Sequence, residues 1–324
     1  DRSVSRGLGD VYKRQAFMRP KTFWIAAAPV CVGTAFAGAL AGTWNLWIFL
    51  FTLLGAVSIQ AMSNMVNDYA YNLKKAENGT RVGLPRATTE GWISMSAAKK
   101  MVGFSIVVCS LFGILLIVIG GLPIACIAVL SLICGFCYMG GPKPIAYTPF
   151  GEFLVLVFYG LFAVSGTYWL QTHSFNWLTL VPGLSLGLIG AAILFVNNYR
   201  DLDHDRSVGR YTLVAACGRK LANTLYMLMI FLPFVFIGWM VPLNQHYWPF
   251  LFVLMALPRA SFLPHLLKTS PQEKITMVMF KTIQLELFFG FLLTLSGIAV
   301  AFLSWPSTQL AANLFVSPLS LIHI

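Results

Sequence analysis

Residues Met101–Ile119 read MVGFSIVVCSLFGILLIVI and Leu122–Met139 read LPIACIAVLSLICGFCYM, with only Gly120 and Gly121 between them. Neither run contains a charged residue. The hydrocarbon core of a bilayer is about 30 Å thick, and a helix needs roughly 20 apolar residues to cross it. Because lipid offers the backbone no hydrogen-bond partners, such runs must be helical. This stretch therefore predicts two membrane helices joined by a very short turn.

The composition of the whole chain fits that prediction. Its 324 residues are 58% hydrophobic and 10% charged, whereas roughly 25% of residues are charged in an ordinary soluble domain. So few polar groups cannot cover a globule in water, and we expect an all-α membrane protein with about nine transmembrane helices. The predicted spans are Phe23–Leu40, Trp44–Ser63, Met101–Ile119, Leu122–Met139, Phe153–Leu170, Leu178–Val196, Leu225–Val241, Tyr247–Leu257 (interrupted by Pro258 and Arg259) and Leu285–Leu303.

The fixed charges are distributed on one side of the predicted spans. All 22 Lys and Arg residues precede the first span, lie in the loops after the second, fourth and sixth spans, or follow or end the eighth. Cytoplasmic loops are enriched in Lys and Arg, so we expect a multi-pass protein of the cell inner (plasma) membrane. Its N-terminus would be cytoplasmic and its C-terminus outside. The formal charge of +11 follows from this topology, and we expect no nucleic-acid partner.

The two ends of the sequence differ from the apolar middle. Residues 1–16 are polar and contain no Met, and we expect a non-native or disordered leader there. Residues 17–304 are predicted to form a single transmembrane domain, and residues 305–324 a tail that is partly non-native. The sequence leaves the oligomeric state open.

Two polar patches begin where apolar spans end. Residues 64–69, NMVNDY, follow the second span, and residues 197–206, NNYRDLDHDR, follow the sixth. If the helix continues past the sixth span, Asp201 and Asp205 stand at positions i and i+4 on one face. Two carboxylates held there repel each other unless a cation lies between them, and oxygen ligands of this kind suit Mg²⁺. The alternative is a solvated helix start in which Asp201 pairs with Arg200 or Arg206.

Several short motifs occur in the order typical of one known family. They are Arg19-Pro20-Lys21-Thr22, Asn67-Asp68-Tyr69, Gly83-Leu84-Pro85-Arg86, Gly141-Pro142-Lys143-Pro144, Tyr147, Gly151-Glu152, Asn197-Asn198-Tyr199-Arg200-Asp201, Asp205-Arg206, Gly209 and Thr212-Leu213. From about Phe17 to Leu303 the chain resembles the UbiA-type intramembrane prenyltransferases. It is most similar to the branch that prenylates 1,4-dihydroxy-2-naphthoate in menaquinone biosynthesis.

The resemblance implies a helical bundle around a central cavity, a polyprenyl diphosphate donor, an aromatic acceptor and Mg²⁺ as the cofactor. It implies catalytic roles for Asp68, Asp201 and Asp205, and metal binding by these three aspartates and Glu77. The implied substrate-binding residues are Asn67, Arg86, Lys143, Asn197, Asn198, Arg200 and Arg210. Among them Arg86, Lys143 and Arg210 would hold diphosphate oxygens, which suits their charge.

The first motif departs from the family pattern at Tyr71, where the family usually has an Asp. An unperturbed phenol has a pKa of about 10 and offers no carboxylate at neutral pH. Either the site works with fewer carboxylates on this side and a single well-held Mg²⁺, or catalysis is lost or altered. On the first interpretation Tyr71→Asp should raise activity or tighten the Mg²⁺ dependence.

Two other classes of function remain open from the sequence. A membrane transporter would also place polar residues at helix breaks, and a catalytically impaired homologue would bind prenyl lipid or quinone without turnover. Two further polar residues are predicted to have no catalytic or binding role. His204 is interpreted as a solvated loop histidine, and Glu286, at the start of the predicted ninth span, as a helix cap.

Overall fold

The fold is known from a computed structural model that describes residues 11–73, 85–139, 144–312, 314 and 316. Every regular element within these residues is helical. The α-helices are α1 (Phe23–Ala41), α2 (Leu46–Leu73), α3 (Met95–Met139), α4 (Gly151–Thr172), α5 (Leu180–Arg200), α6 (Leu202–Ser207), α7 (Leu213–Met240), α8 (Leu257–Thr269), α9 (Ile275–Ser304) and α10 (Ser307–Ala312).

Eight helical stretches of the described chain are long and apolar enough to cross a membrane. One of them, α3, is interrupted at Gly121, which has φ 65° and ψ −151°. Glycine adopts positive φ without the steric penalty that a side chain brings. The break falls at the predicted turn, so α3 contains two of the predicted spans. The prediction of an all-α membrane protein with about nine spans is therefore confirmed.

Several helices extend well beyond the apolar runs that predicted them. Helix α2 continues from Ser63 to Leu73 and so carries Asp68 on a helix, and α9 begins at Ile275 rather than Leu285. The hydropathy of a segment reports only the part buried in lipid, while Thr, Lys and Gln are tolerated in helices that reach past it. The predicted helix ends were wrong by up to a dozen residues.

The eighth span has two parts. A 3₁₀ helix covers Gln245–Ala256, and α8 follows it directly. Pro258 lies in the first turn of α8, where proline lacks an N–H that the helix would leave unbonded anyway. Pro258 therefore begins a helix rather than interrupting one.

Small residues bring the membrane helices close together. Helix α9 packs most extensively against α1, and a Cβ placed on Gly297 would lie only 2.9 Å from Cβ of Ala35. Between α4 and α5, a Cβ on Gly187 would lie 2.6 Å from the carbonyl oxygen of Leu156. Gly183 and Gly187 form the small-xxx-small pattern that lets membrane helices approach.

Helix α4 has an irregular turn at this contact. Residues Leu156–Phe162 form a π-helical segment, which is wider than an α-helix and is often found at functional sites. It lies against Gly183 and Gly187 of α5. This close contact fixes α5, whose end carries the second polar patch, against α4.

Candidate active site

The second polar patch continues α5 with a helical turn. Helix α5 ends at Arg200 and α6 begins at Leu202. The backbone N–H of Asp205 donates to the carbonyl oxygen of Asp201 at 2.8 Å. The two aspartates are therefore one turn apart, as their spacing predicts. Both side chains are buried, so this is not a solvated helix start.

Asp201 is held by the arginine that precedes it. Nε and Nη2 of Arg200 donate to Oδ1 and Oδ2 of Asp201, both at 2.8 Å. Nη2 also donates to Oδ1 of Asn197 at 2.7 Å, and Nη1 donates to Oγ1 of Thr276 at 3.2 Å. Two-pronged arginine–carboxylate pairs are strong and geometrically specific. Arg200 thus holds Asp201 and Asn197 together at the start of α9.

Asp205 is paired with Arg210, which lies just after the patch. Nη1 of Arg210 lies 2.8 Å from Oδ1 of Asp205, and Nη2 donates to the carbonyl oxygen of Ala146 at 3.1 Å. Burial of this guanidinium opposes its charge, but nearby Tyr71 and Asp205 outweigh that effect and raise the pKa of Arg210. Partial burial likewise raises the pKa of Tyr147. Arg210 therefore stays cationic and links the patch to the turn before α4.

A third predicted residue, Asn198, faces the start of α4. Its Nδ2 donates to Oε1 of Glu152 at 2.8 Å, and both side chains are buried. Glu152 also interacts electrostatically with Arg210 and Asp205. Glu152 was part of the sequence resemblance, but no role was predicted for it, because its pairing with Asn198 joins residues 46 positions apart in the chain.

In the first patch, Asp68 organises the loop that carries Arg86. Its carboxylate accepts hydrogen bonds from the backbone N–H groups of Ala87 at 2.9 Å and Thr88 at 3.1 Å, and from the Thr88 hydroxyl. Asp68 has no exposed surface. Both of its oxygens are thus used to hold the turn that follows Arg86.

Tyr71 connects the two patches. The guanidinium carbon of Arg86 lies 3.6 Å from the centre of the Tyr71 ring, and that of Arg210 lies 5.8 Å from it. Nη1 of Arg86 also donates to the carbonyl oxygen of Asn67 at 3.4 Å. Cations are attracted to the face of an aromatic ring within about 6 Å. Tyr71 therefore offers an aromatic ring shared by Arg86 and Arg210, which lie next to the first and the second patch.

The two patches differ in how well they suit Mg²⁺. Asp201, Asp205 and the Asn197 amide supply the hard oxygen atoms that this ion binds, and the first two are one helical turn apart. Both oxygens of Asp201 and Oδ1 of Asn197 accept hydrogen bonds from the Arg200 side chain, so these residues fit the metal once that side chain gives up the bonds. Asp68 fits less well, since its oxygens hold backbone N–H groups of the turn at Ala87 and Thr88. Within the described ranges, no three His, Cys, Asp or Glu side chains come together as a metal-binding group.

Other residues named from the sequence have different outcomes. Glu77 and Lys143 lie outside the described residues, and their roles stay predictions. His204 is buried, with 6% of its surface exposed, so its interpretation as a solvated loop histidine was wrong. Glu286 lies eleven residues inside α9 with 1% exposed, and its interpretation as a helix cap was also wrong because α9 begins much earlier than predicted.

The sequence did not predict a chain of polar side chains inside the bundle. Nδ2 of Asn64 donates to Oγ1 of Thr22 at 2.8 Å, and Nε2 of Gln60 donates to the same oxygen at 3.2 Å. The hydroxyl of Tyr159 donates to Oε1 of Gln60 at 2.7 Å. Gln60 is a polar residue within a predicted span, and such residues are expensive in a membrane. The presence of Gln60 within an apolar span was therefore the sequence signal that could have predicted this row of hydrogen-bonded side chains.

A helical membrane bundle with two Asn/Asp patches joined by buried arginines is the architecture of an intramembrane prenyltransferase. Residues 26–285 match the UbiA prenyltransferase family, and the chain belongs to that family. It is similar to a 1,4-dihydroxy-2-naphthoate octaprenyltransferase of Escherichia coli (strain K12), with 30% identity over 246 residues, 74% of this chain and 80% of the relative.

Other known proteins cover more of the chain. A 1,4-dihydroxy-2-naphthoate octaprenyltransferase of Bacillus subtilis (strain 168) is 27% identical over 287 residues, 88% of this chain and 91% of the relative. The solved structure of a UbiA homolog from Archaeoglobus fulgidus bound to GPP and Mg²⁺ matches with a TM-score of 0.61 at 13% identity. That match covers 87% of this chain and 99% of the homolog, and it shows the shared fold.

Proposed function

We propose that this protein transfers a polyprenyl group from a polyprenyl diphosphate to 1,4-dihydroxy-2-naphthoate, a step of menaquinone biosynthesis. The observation that carries the proposal is the contact of Arg86 and Arg210 with one ring, that of Tyr71. It brings two cations, one next to each polar patch, to one place, as a diphosphate requires. The names of the E. coli and B. subtilis relatives support the choice of acceptor.

The residues of the proposed site have different roles in the reaction. Asp201, Asp205 and Asn197 would hold Mg²⁺, which when bound stabilises the charge that develops on the leaving diphosphate. Arg86 and Arg210 would contact the diphosphate oxygens directly, since guanidinium groups match phosphate geometry. Arg200 keeps Asp201 and Asn197 oriented through its hydrogen bonds. Asp68 acts by holding the loop of Arg86 in position.

The surroundings suit a cationic allylic fragment. Donors that are fixed before the reaction stabilise developing charge without a cost of reorganisation. The apolar bundle keeps water from the fragment, and the faces of Tyr71 and Tyr147 next to Arg210 can shield positive charge. As the C–O bond to diphosphate breaks, a carbon of the acceptor ring forms the new C–C bond to the fragment. The ring then regains its aromaticity by losing its carboxylate as CO₂, in a site from which water is excluded.

The charge distribution supports a topology for the proposal. With the N-terminus and the Lys- and Arg-rich loops in the cytoplasm, both polar patches lie at the cytoplasmic ends of α2 and α5. The C-terminus then lies outside the inner membrane. Residues 17–304 form the single prenyltransferase domain in this proposal.

The test is turnover by the purified protein with Mg²⁺, polyprenyl diphosphates of several lengths and a panel of aromatic acceptors, followed by mass analysis of the product. Asp201→Ala should abolish Mg²⁺-dependent transfer. Because that change also leaves the buried Arg200 without its carboxylate, Asp201→Asn is measured beside it. Asp203→Ala is the matched control, since Asp203 is exposed and lies 3.4 Å from an exposed Arg219.

The outcomes separate the proposal from its alternatives. Full activity of both Asp201 variants would refute the role of the second patch. Mg²⁺-dependent binding of the prenyl diphosphate without release of diphosphate would identify a catalytically impaired homologue. Uptake of a solute into vesicles without any product would identify a transporter.

A further inference from the structure

A buried carboxyl group lies deep in the bundle, away from both polar patches. Glu286 is 1% exposed, and among the described residues its Oε2 has no hydrogen-bond partner. A Cβ built on Gly190 of α5 would lie 3.4 Å from Oε1 of Glu286 and 3.5 Å from Cγ1 of Val155. Glu286 therefore points at the space that glycine leaves open on α5.

The depth of Glu286 follows from two contacts between α5 and α9. Arg200 contacts Thr276 at the ends of these helices, and Gly190 faces Glu286. Both pairs are separated by ten residues along their own helices, or about 15 Å at 1.5 Å per residue. Glu286 thus lies about 15 Å further into the bundle than Arg200, and about 10 Å further in than Asn197.

Other polar groups lie at the same depth. Gln60 precedes Asp68 by eight residues on α2, which is about 12 Å toward the membrane interior. Gln60 accepts a hydrogen bond from Tyr159, a residue of the π-helical segment, and Tyr159 interacts electrostatically with Glu286. Three helices therefore contribute a carboxyl, a phenol and a carboxamide to one polar level in an apolar bundle.

The groups at this polar level include no cation that could bind the donor's diphosphate. The diphosphate belongs with the arginines and aspartates, about two to three helical turns nearer the surface, and a prenyl tail has no group that forms hydrogen bonds. A buried carboxyl oxygen without a partner is costly, and such groups within a membrane usually serve function. The remaining candidate ligand for this polar level is the second substrate, an aromatic ring that carries hydroxyl groups.

We infer that Glu286 binds a hydroxyl group of the aromatic acceptor, with the bare backbone of Gly190 facing the bound group. This inference rests on the proposed function, because it assigns the acceptor site of the same reaction. The hydroxyl donates to the carboxyl oxygen that lacks a partner.

The experiment measures acceptor recognition separately from turnover. Equilibrium binding of 1,4-dihydroxy-2-naphthoate and of its 1,4-dimethoxy analogue is compared for the wild type, Glu286→Gln, Glu286→Leu and Gly190→Ala. A site built to bind a hydroxyl discriminates strongly against a ligand that lacks it. We expect the wild type to prefer the dihydroxy compound by about tenfold or more, and Glu286→Leu to lose that preference.

Kinetics give a second readout. The acceptor KM should rise by about tenfold in Glu286→Leu and rise also in Gly190→Ala, while the KM for prenyl diphosphate stays within about twofold. Gly190→Ala makes only ordinary van der Waals contacts, so it keeps the test valid if a Glu286 variant fails to fold. Glu273→Gln is the matched control, because Glu273 is exposed just before α9.

Each result decides the inference. Equal binding of the two compounds by the wild type would overturn it, and so would unchanged acceptor binding and KM in the Glu286 and Gly190 variants. If the wild type makes no product with any acceptor, the proposed function fails. Loss of hydroxyl preference in Glu286→Leu would still support the binding site in that case.

Discussion

Replacing Tyr71 tests whether an aromatic face substitutes for a carboxylate in the first polar patch. Tyr71→Leu removes the ring that lies 3.6 Å from the Arg86 guanidinium and 5.8 Å from that of Arg210. A cation–π contact contributes about 0.5 kcal/mol when exposed and about 2 kcal/mol when desolvated. Arg86 is 5% exposed, so the upper half of that range applies.

The expected size follows from that energy. A change of 1.4 kcal/mol is about tenfold in affinity, so the upper half of the range means that Tyr71→Leu should raise the KM for prenyl diphosphate by roughly 8- to 30-fold. The acceptor KM should not change, because the Tyr71 ring contacts the cations rather than the acceptor. Tyr71→Phe keeps the ring face and should stay within about twofold of the wild type.

The same reasoning reverses what the sequence predicted for Tyr71→Asp. A new carboxylate beside Arg86 and Arg210 would pair with them and compete with the diphosphate for their donors. We therefore expect a higher KM for prenyl diphosphate and no gain in activity. The family pattern alone suggested a gain because it showed the missing carboxylate but not the two arginines that fill its place.

The assay is steady-state turnover at saturating acceptor, with the prenyl diphosphate varied at several Mg²⁺ concentrations. Tyr211→Leu is the control, since the Tyr211 side chain is 61% exposed and follows Arg210 directly. The reasoning is refuted if folded Tyr71→Leu keeps the wild-type KM, or if Tyr71→Phe loses as much affinity as Tyr71→Leu.

Two further predictions concern stability. Asp68→Ala removes the acceptor of two backbone N–H groups, a change that costs about 0.5–2 kcal/mol at comparable caps. The thermal transition in detergent should therefore fall, and protease should cleave the loop after residue 85 faster. Unchanged cleavage would contradict the role given to Asp68. Gly187→Ala places a Cβ 2.6 Å from the Leu156 carbonyl oxygen. Overpacking of this kind costs about 1–3 kcal/mol, so the thermal transition should fall, whereas the control Gly113→Ala meets nothing within 4 Å and should leave the transition unchanged or higher. Equal transitions for the two variants would show that α4 and α5 are not tightly packed.

Local patterns predicted much of the fold. The apolar runs around Gly120 and Gly121 predicted two spans and the turn between them, and the break at Gly121 confirms it. The spacing of Asp201 and Asp205 predicted one helical turn, which their backbone hydrogen bond confirms. Both signals depend on a few neighbouring residues, and this is why the sequence alone was enough to predict these two features.

The rest depends on contacts between distant parts of the chain. Asp68 bonds to residues 87 and 88, which lie 19 and 20 positions further along the chain, and the Tyr71 ring lies near Arg210, next to the other patch. Hydropathy could not find the start of α9, because its first turns lie outside the apolar run, and so Glu286 was assigned to a helix end. The roles of Glu77 and Lys143 stay predictions.

The packing of α9 on α1 has a consequence for biosynthesis. The two helices begin about 250 residues apart in the chain, and at about 5–20 residues per second the ribosome needs roughly 10–50 s to make that length. Throughout this interval the face of α1 that will receive α9 has only lipid or the insertion machinery beside it. The wall of the bundle is therefore completed last, and variants that weaken this contact should reduce the yield of folded protein more than the activity of each molecule.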